Sequence, residues 1–544
     1  MLGLMQDHPL LISSLIRHAA QNHGSRAVVS RLVDGSIHRT DYATVERRAR
    51  RLAQSLESRG LKPGDRIGTL AWNTFRHLEC FYGVSGMGGV LHTVNPRLFR
   101  EQIAYIIRHA EDRVLMFDVD QLPLVEAIAD ELGCVEHFVV LVERAALPAS
   151  SRLALQSYED WIDTGREDWA WPMLDERSAC SLCYTSGTTG NPKGVLYTHR
   201  STLLHALASV QPDCFALSSL DTVMPIAPMF HANAWSLPYC TPMVGAKLVL
   251  PGNRMDAASL FELLAGERVS FAVGVPTIWT MLIGWLREHH KALPDLERCL
   301  VAGTALPPAV QKTLHDEFGI RAIHAWGMTE TSPIGTMSTP TPEVAALPET
   351  ARIDALLKQG RVPFGAEIQI RDSTGAVAPK DGSTFGPLWI RGPWVASGYF
   401  KGEGGAVLDA DGWFPTGDVA TWDALGFMKI TDRTKDVIKS GGEWISSIDV
   451  ENAAMSHPKV ALAATVATYH PKWDERPVLV IVPRDGQAPT REEILAFLEP
   501  RMAKWWLPDD VVFVRELPLT ATGKILKSKL RETYWHHLHA EAAP

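Results

Sequence analysis

The stretch Tyr184-Thr185-Ser186-Gly187-Thr188-Thr189-Gly190-Asn191-Pro192-Lys193-Gly194 combines small hydroxyl residues, glycines and one lysine. It follows an apolar run at 179–183 that predicts a strand, and it precedes a run from about residue 201 that predicts a helix. Glycine lets backbone N–H groups approach an anion closely, hydroxyls add donors, and Lys193 adds a positive charge. The stretch therefore indicates a phosphate-binding loop, with a flexible surface turn as the alternative.

The composition is that of a soluble globular protein. The chain has 544 residues, of which 46% are hydrophobic and 21% charged, and this length allows a large α/β body with a smaller domain. The formal net charge of -9 argues against a broad basic surface, so we expect no nucleic-acid partner.

The seven cysteines do not form a disulfide framework. Cys180 and Cys183 have CxxC spacing without a second pair, so buried thiols on a strand are the favoured interpretation over a metal site. Cysteine usage predicts a reducing, cytoplasmic setting. We find no secretory signal and no apolar run of roughly 20 residues, so we expect no membrane span.

Short apolar strands alternate with helical periodicities along the first part of the chain. Helices are predicted at about 45–56, 75–87, 103–107 and 122–132, and strands at about 66–72, 90–94, 114–117 and 138–142. This alternation predicts an α/β fold with large sheets of parallel or mixed strands covered by helices.

Three further strands run into loops of small or polar residues, near 227, 302 and 327. Such loops at the carboxyl edge of a parallel sheet are where α/β proteins place their sites. After about residue 360 the sequence has the short strands and glycine turns of a small β-rich part. The last residues, with a capping box at 490–493, predict a compact α+β domain.

The 184–194 stretch lacks the GxxxxGK[ST] spacing of a Walker A loop. YTSGTTGNPKG instead closely resembles the ATP phosphate loop of the adenylate-forming (AMP-binding) superfamily. Four later blocks agree in order: AWGMTETSP at 325–333, GWFPTGD at 412–418, DRTKDVIKSGGEWIS at 432–446 and TGKILKSKLR at 522–531. The resemblance covers essentially the whole chain, and it is closest to bacterial medium-chain fatty-acid–CoA ligases and methylmercaptopropionate–CoA ligases.

The resemblance implies an acyl-CoA synthetase of fatty acid metabolism that works in two half-reactions. A carboxylate attacks the α-phosphate of Mg-ATP to give an acyl-adenylate and pyrophosphate, and coenzyme A then displaces AMP. It also implies an N-terminal ATP- and acyl-binding domain at 1–431, a hinge at 432–435 and a mobile C-terminal domain at 436–544. The small domain would rotate between the two steps.

The resemblance further implies which residues bind ATP. Glu330 would hold Mg²⁺, and Thr329 would contact the α-phosphate. Asp418 and Arg433 would bind the ribose, and Trp326 would lie against adenine, with a purely structural tryptophan as the alternative. The remaining residues assigned to ATP are Thr185, Ser186, Gly187, Thr188, Thr189, Gly190, Lys193, Thr304 and Gly327.

The C-terminal blocks would supply the moving parts. Lys524 would neutralise charge on the carboxylate and α-phosphate while the adenylate forms. Lys435 is expected at the pivot of the hinge, and Lys439 is expected to act in catalysis. The residues expected at the CoA thiol arm are Gly441, Gly442, Glu443 and Trp444, with a plain hairpin turn as the alternative for the two glycines.

The acyl pocket is less sharply defined. The residues assigned to it by resemblance are His231, Trp235, Gly274, Val275, Pro276 and Gly303, with Thr304 beside them. A core-packing role is the alternative for Trp235. A medium-chain fatty acid is the favoured substrate, and 3-methylmercaptopropionate or another short or branched acid is the alternative. Transfer to a carrier protein and a non-catalytic nucleotide-binding role are weaker alternatives. A homodimer is possible, since homodimers are common in similar enzymes.

Overall fold

The computed structural model describes residues 1, 3–149, 151–166, 168–185, 191–372, 374–441, 443–519 and 525–539, with the backbone alone at 443. Two compact units divide the chain. The first contains Met1–Thr185, Pro192–Glu367 and Arg391–Phe414, and the second contains Ile368–Ile390 and the chain from Pro415 onward. The predicted domain boundaries and the hinge stay predictions.

The strands of the described chain are, in order, β1 (Ala27–Arg31), β2 (Ile37–Asp41), β3 (Arg66–Leu70), β4 (Val90–Thr93), β5 (Asp112–Phe117), β6 (His137–Val140), β7 (Leu155–Ser157), β8 (Ala179–Tyr184), β9 (Gly194–Thr198), β10 (Thr222–Pro225), β11 (Lys247–Leu250), β12 (Phe271–Gly274), β13 (Arg298–Val301), β14 (Arg321–Gly327), β15 (Ile334–Met337), β16 (Glu367–Ile370), β17 (Gly386–Arg391), β18 (Phe414–Trp422), β19 (Met428–Arg433), β20 (Ile438–Ser440), β21 (Glu443–Ile445), β22 (Val460–His470), β23 (Asp474–Pro483) and β24 (Asp510–Phe513).

The helices are α1 (Ile12–His23), α2 (Tyr42–Ser58), α3 (Phe75–Gly86), α4 (Arg100–Ala110), α5 (Leu122–Ile128), α6 (Tyr158–Thr164), α7 (His199–Ser209), α8 (Leu237–Met243), α9 (Ala257–Gly266), α10 (Pro276–Glu288), α11 (Pro308–Asp316), α12 (Pro342–Ala345), α13 (Glu349–Leu356), α14 (Ser447–Met455), α15 (Arg491–Leu498) and α16 (Lys527–Tyr534).

Two large mixed sheets form the first unit. One has eight strands in the order β15-β14-β13-β12-β10-β11-β1-β2, and the other has seven in the order β7-β6-β5-β3-β4-β8-β9. Both are parallel in their centres, while the edge strands β2, β15 and β9 pair antiparallel with their neighbours. The predicted α/β class with mixed sheets is confirmed.

Alternating side chains bury both faces of the eight-stranded sheet. Val28 belongs to the core shared with α1, α2, α3 and the seven-stranded sheet. Its neighbour Val29 belongs to a second core against α9, α10 and α11. Because successive strand residues point to opposite faces, apolar runs without polar interruption are what a sheet covered on both sides requires.

The second unit contains a four-stranded sheet, β16-β17-β18-β19, and a five-stranded sheet in which β21, β20, β23 and β22 are joined by β24 at β23. The helices α14 and α15 pack with the five-stranded sheet around a core of apolar residues, among them Ile438, Val450, Leu479 and Ile494. These elements confirm the predicted β-rich part and the compact α+β domain.

The structure corrects the prediction around the glycine-rich loop. We expected a strand, the loop and then a helix, but β9 lies between the loop and α7, which begins at His199. Tyr184 pairs with Gly194, so the loop connects two antiparallel strands. The five residues of β9 are too few for a clear periodicity, which is why the strand was missed.

The predicted capping box at α15 forms only in part. The side chain of Thr490 accepts a hydrogen bond from the Glu493 N–H at 3.2 Å. The Glu493 carboxylate instead contacts Lys459 Nζ at 2.8 Å. A basic residue on a neighbouring turn therefore competes for the carboxylate that the local pattern assigned to the helix start.

The seven cysteines are all free and all lie in the first unit. Six are buried, and only Cys134 is partly accessible. Burial raises the pKa of the Cys180 and Cys214 thiols to about 12, so they stay protonated at neutral pH. Among the described helices, none is both long enough and apolar enough to cross a membrane.

Candidate active site

The candidate site lies where parallel strands of the eight-stranded sheet end. Pro225 of β10 pairs with Val273, Gly274 of β12 with Val301, and Val301 of β13 with His324 of β14. The loops that follow these strands therefore meet at one carboxyl edge. This edge carries Gly274 to Pro276, Gly303 and Thr304, and the 326–331 stretch, so it brings together some of the residues that the sequence assigned to the acyl pocket and to ATP.

The base of the glycine-rich loop is closed by two hydrogen bonds. Thr185 N–H donates to the Lys193 carbonyl at 2.9 Å, and Lys193 N–H donates to Thr185 Oγ1 at 3.1 Å. These bonds extend the pairing of β8 with β9 by one residue. The predicted phosphate ligands Ser186, Gly187, Thr188, Thr189 and Gly190 lie outside the described residues.

Tyr399 connects the two charged residues predicted to bind Mg-ATP. Its hydroxyl donates to Glu330 Oε1 at 2.7 Å, and its ring centroid lies 4.8 Å from Lys193 Nζ. Burial and the neighbouring carboxylate raise the pKa of Tyr399, so the phenol stays a donor. Glu330 itself is 6% exposed, and its carbonyl accepts from Ala396 N–H at 2.8 Å. The carboxylate is thus held in one orientation.

The strand end that carries Thr329 is tightly fixed. Tyr197 OH donates to the Thr329 carbonyl at 2.6 Å. A Cβ at Gly327 would lie 2.0 Å from the Pro333 carbonyl oxygen, so only glycine fits there. Trp326 packs against Gly335, where a Cβ would come within 2.1 Å of the indole. Trp326 is 8% exposed, and its contact with adenine stays a prediction.

The predicted acyl loop contains a left-handed turn. Ala232, Asn233, Ala234, Trp235 and Ser236 have φ of 43°, 51°, 47°, 58° and 67°. A left-handed conformation costs about 1–2 kcal/mol for each L-residue other than glycine, so five in succession are strongly strained. His231 precedes the turn and is exposed, whereas Trp235 is buried. Such strain persists only where the surroundings enforce it.

The rest of the predicted acyl pocket is more open. Val275 and Gly303 are exposed, and Val275 Cγ1 lies 3.3 Å from where a Cβ of Gly303 would be. Gly303 has a φ of 93°, which a residue with a side chain rarely adopts. Thr304 is exposed beside it. The edge therefore presents small and apolar groups.

In the second unit, Asp418 and Arg433 face each other across β18 and β19. Arg433 Nε lies 3.0 Å from Asp418 Oδ1, and the Asp418 side chain is 6% exposed while that of Arg433 is half exposed. The structure therefore brings together the two residues predicted to bind the ribose. The ion pair fixes the carboxylate and leaves much of the guanidinium accessible.

The stretch predicted to meet the CoA arm forms the hairpin of β20 and β21. Lys439 is exposed, its N–H donates to Glu475 Oε2 at 2.7 Å, and it pairs with Trp444. Gly441 has a φ of 59°, and its N–H donates to the Trp473 carbonyl at 2.7 Å. A Cβ there would lie 2.8 Å from Trp473 Cε3. Gly441 is thus required by both its conformation and its neighbour.

Other predicted residues of this part are placed less fully. Lys435 is exposed in the turn after β19. Gly442 and Lys524 lie outside the described residues, as does the side chain of Glu443. The chain on either side of Lys524 is described: Leu519 and Ile525 form an antiparallel bridge, and Leu526 N–H donates to the Pro518 carbonyl at 2.7 Å.

Sequence reasoning missed several residues around the site. Tyr399 follows no motif that we used, although it touches both Glu330 and Lys193. His109 Nδ1 lies 2.6 Å from the hydroxyl of Tyr184, the last residue of β8. Trp473 covers Gly441. These contacts join residues far apart in sequence, so no local spacing could have revealed them.

Comparison with known proteins agrees with this geometry. Residues 15–400 match the family model described as "AMP-binding enzyme", and residues 449–524 match "AMP-binding enzyme C-terminal domain". The chain is 50% identical to the 3-methylmercaptopropionyl-CoA ligase of Ruegeria pomeroyi, over 98% of this chain and 99% of the relative. It is 48% identical to the medium-chain-fatty-acid–CoA ligase of Ectopseudomonas oleovorans, over 98% of each.

A solved structure shares the fold over nearly the whole length. The anthranilate CoA ligase AuaEII in complex with anthranoyl-AMP aligns with a TM-score of 0.84 and 25% identity, over 97% of this chain and 99% of that chain. The fold and the site define an adenylate-forming enzyme. The chain belongs to the AMP-binding enzyme family, and it is an AMP-forming acid–CoA ligase.

Proposed function

We propose that the protein joins a medium-chain fatty acid to coenzyme A, with ATP cleaved to AMP and pyrophosphate through an acyl-adenylate. The observation that supports a medium-chain acid is the 48% identity, over 98% of both chains, to a medium-chain ligase. The loops at the carboxyl edge support it, because residues 226–236, 274–276 and 302–304 contain no Asp, Glu, Lys or Arg. An uncharged acyl tail suits such a wall.

The Lys193–Tyr399–Glu330 contact supports the adenylation step. Lys193 would attract the phosphates of ATP, and Thr329 would contact the α-phosphate. Tyr399 would keep Glu330 oriented, since its hydroxyl is 2.7 Å from the carboxylate. Donors fixed before the substrate arrives stabilise developing charge without reorganisation.

Glu330 suits Mg²⁺ by its chemistry. Magnesium is bound in nucleotide sites through one or two carboxylates and the substrate phosphates, and Glu330 is a buried carboxylate at the predicted phosphate site. Bound there, the ion would neutralise phosphate charge. The residues of this chain would orient the ATP and exclude water.

The second unit would supply the remaining groups. Asp418 and Arg433 would bind the ribose, and Lys524 would neutralise charge as the acyl-adenylate forms. Rotation about Lys435 would then bring Lys439, Gly441 and Trp444 to the adenylate for attack by the CoA thiol. A homodimer and a cytoplasmic location belong to the same proposal.

The second candidate substrate is 3-methylmercaptopropionate. It is favoured by the 50% identity to a ligase named for that acid. Its chain is shorter than that of a medium-chain acid and carries a sulfur. One buried methylene contributes about 0.8 kcal/mol, or about a fourfold preference in binding, so a small change in the pocket could select either acid.

The deciding experiment measures kcat/KM from ATP- and CoA-dependent AMP release with propionate, 3-methylthiopropionate, butyrate, hexanoate, octanoate, decanoate, palmitate and cinnamate. We expect a maximum between hexanoate and decanoate. A maximum at 3-methylthiopropionate would establish the second candidate instead. Absence of AMP with every acid would contradict the ligase assignment itself.

A variant of Lys524 tests whether this residue acts in the first half-reaction and not in the second. We expect Lys524→Ala to slow acyl-adenylate formation by about a hundredfold or more, because a charge-stabilising donor is lost. Thioester formation from supplied acyl-adenylate should stay within about twofold of the wild-type rate, since Lys524 is assigned to the first step alone. An equal loss in both steps would rule out domain alternation as described.

A further inference from the structure

The left-handed turn at 232–236 lies between the end of β10 and the start of α8. All five of its residues are buried, with Trp235 the most exposed at 9%. A strained turn of this length needs contacts that hold it. Two asparagines hold the turn and the segment that leads into it, and neither was assigned a role by the sequence.

The first clamp is Asn233, inside the turn. Its Nδ2 donates to Ser181 Oγ at 3.4 Å, and its Oδ1 accepts from the Cys183 thiol at 3.4 Å. The Cys183 sulfur in turn lies 3.3 Å from Thr93 Oγ1. Both polar ends of the amide are therefore tied to β8, the strand that leads into the glycine-rich loop.

The second clamp is Asn73, before α3. Its Nδ2 donates to the carbonyls of Pro225 at 2.8 Å and Ala227 at 3.0 Å, and its Oδ1 accepts from Met229 N–H at 2.7 Å. Asn73 is 1% exposed. One side chain thus fixes three backbone groups in the segment that enters the turn.

The segment that leads into the clamped turn begins beside the predicted acyl pocket. Pro225 pairs with Val273, one residue before Gly274. On its other side the turn reaches β14, because a Cβ at Gly327 would lie 3.2 Å from Trp235 Cη2. Trp235 is part of the turn, so its contact with the 326–331 stretch depends on the conformation of the turn.

We propose that Asn73 and Asn233 are specificity-determining positioning residues, which set the length of acid that the pocket accepts by holding the left-handed turn 232–236 in place. This inference rests on the proposed acyl pocket. The side-chain amides of both residues are bonded to protein groups, so they act through the turn. Loss of either clamp lets the turn relax towards ordinary backbone angles and moves Trp235, so the pocket no longer has one fixed depth.

The test compares Asn233→Ala, Asn73→Ala and Ser181→Ala, the last of which removes only the hydroxyl partner of Asn233. Asn22→Ala, on the exposed face of α1, is the matched control. The kcat/KM values are measured with butyrate, hexanoate, octanoate, decanoate and dodecanoate, together with the KM for ATP and the melting temperature.

For the wild type, the best acid should exceed the acid two methylenes longer or shorter by about fifteenfold. We expect this ratio to fall below about fourfold in both asparagine variants, and to fall less in Ser181→Ala, with the KM for ATP within about twofold. The double variant of Asn233 and Ser181 should match Asn233→Ala alone, because both remove one interaction.

An equal loss of kcat/KM for all acids, with the ratio unchanged, would overturn the inference and leave the asparagines a purely structural role. If Asn73→Ala fails to fold, Ser181→Ala still decides, since it leaves the amide and the core in place. A wild type that forms no AMP would refute the proposed function instead, so the two failures are distinguishable.

Discussion

The hydroxyl of Tyr399 orients Glu330 in the predicted ATP site. We expect Tyr399→Phe to lower kcat/KM for ATP by about tenfold or more, because a hydrogen bond to a charged group contributes about 1.5–3 kcal/mol. The ring would still stand over Lys193, so only the Glu330 contact is lost. Steady-state kinetics at varied Mg²⁺ and ATP measure the effect.

The control for Tyr399 is Tyr105→Phe. The Tyr105 hydroxyl also donates to a carboxylate, but that carboxylate is Glu403, whose Oε1 lies 3.2 Å away. We expect this variant to keep the wild-type KM for ATP. Similar losses in both variants would show that the kinetic effect does not come from the Glu330 contact.

A second prediction at the scale of single residues concerns Gly441. A Cβ there would lie 2.8 Å from Trp473 Cε3 and would displace the indole. We expect Gly441→Ala to slow thioester formation by about tenfold or more, because small misplacements in a reacting geometry are costly. The rate of adenylate formation, measured by ATP–pyrophosphate exchange, should be unchanged.

Gly486→Ala separates the clash from backbone strain. Gly486 has a φ of 73°, close to the 59° of Gly441, but no atom of the described residues lies within 4 Å of the position that its Cβ would take. This variant should lose stability without losing the thioester step. Equal kinetics in the two alanine variants would contradict the predicted role of the 439–444 hairpin.

At the scale of elements, one buried ion pair fastens α16 to α14. Lys527 Nζ lies 2.6 Å from Glu451 Oε1 and donates to Ser447 Oγ at 2.6 Å. We expect Lys527→Met to destabilise the second unit by about 3–5 kcal/mol at pH 8, because it leaves a carboxylate buried without its partner. Urea unfolding followed by fluorescence measures the loss.

Acid should relieve part of that loss. Burial raises the pKa of Glu451 to about 7 even though the Lys527 ammonium lowers it. Loss of that ammonium should raise this pKa further, so the variant gains more stability than the wild type as the carboxyl takes up a proton between pH 8 and pH 6. Lys529→Met, on the exposed side of α16, is the control and should have little effect. A loss for Lys527→Met that does not depend on pH would show that lost packing, rather than the unpaired charge, causes it.

Elements also show how far the sequence could predict the fold. The regular strands and helices around 66–142 follow hydrophobic periodicity, and the structure confirms them. The short strand β9 and the partial capping box at Thr490 depend on pairing with distant residues. The left-handed turn could not be predicted at all, since alanine and tryptophan favour other backbone angles.

At the scale of the whole molecule, four buried histidines should make the folded protein less stable in acid. Burial lowers the pKa of His77, His199 and His324 to about 4 and that of His205 to about 3. Between these values and the ordinary 6.5, the unfolded chain binds protons that the folded chain does not. Stability therefore falls as the pH is lowered through this range.

A single variant measures this effect. His205 Nε2 accepts from Ile334 N–H at 3.0 Å, so His205→Gln costs stability at pH 7. The difference in unfolding free energy between the variant and the wild type should be about 2 kcal/mol smaller at pH 5 than at pH 7. At pH 5 the unfolded wild type gains stability by protonating His205, and the variant has no such group. Asp118, whose pKa burial raises to about 7, acts in the opposite sense and is unchanged in both proteins.

The control for that comparison is His18→Gln, on the exposed face of α1. The difference in unfolding free energy between His18→Gln and the wild type should not change with pH in the way expected for His205→Gln. A His205→Gln difference that stays constant from pH 7 to pH 5 would mean that the buried imidazole takes up its proton in the folded state.

Only part of the candidate site in each unit could be predicted from the sequence. Sequence motifs identified Lys193, Glu330 and Asp418 because residue types and spacing there are those expected for binding phosphate, magnesium and ribose. The supporting residues Tyr399, Asn73 and Asn233 are held by tertiary contacts that leave no periodic signal. The class of reaction followed from the motifs, but the motifs do not distinguish a medium-chain acid from 3-methylmercaptopropionate.

The distribution of thiols has a practical consequence for following the enzyme at work. Every cysteine lies in the first unit, and all but Cys134 are buried. Partial burial and the Asp112 carboxylate raise the pKa of the Cys134 thiol as well. Because thiolates rather than thiols react, the native cysteines should react with maleimide dyes more slowly than a fully exposed cysteine. One cysteine introduced at the exposed Lys529 would thus give a singly labelled enzyme, whose fluorescence could be recorded during turnover without first removing the native thiols.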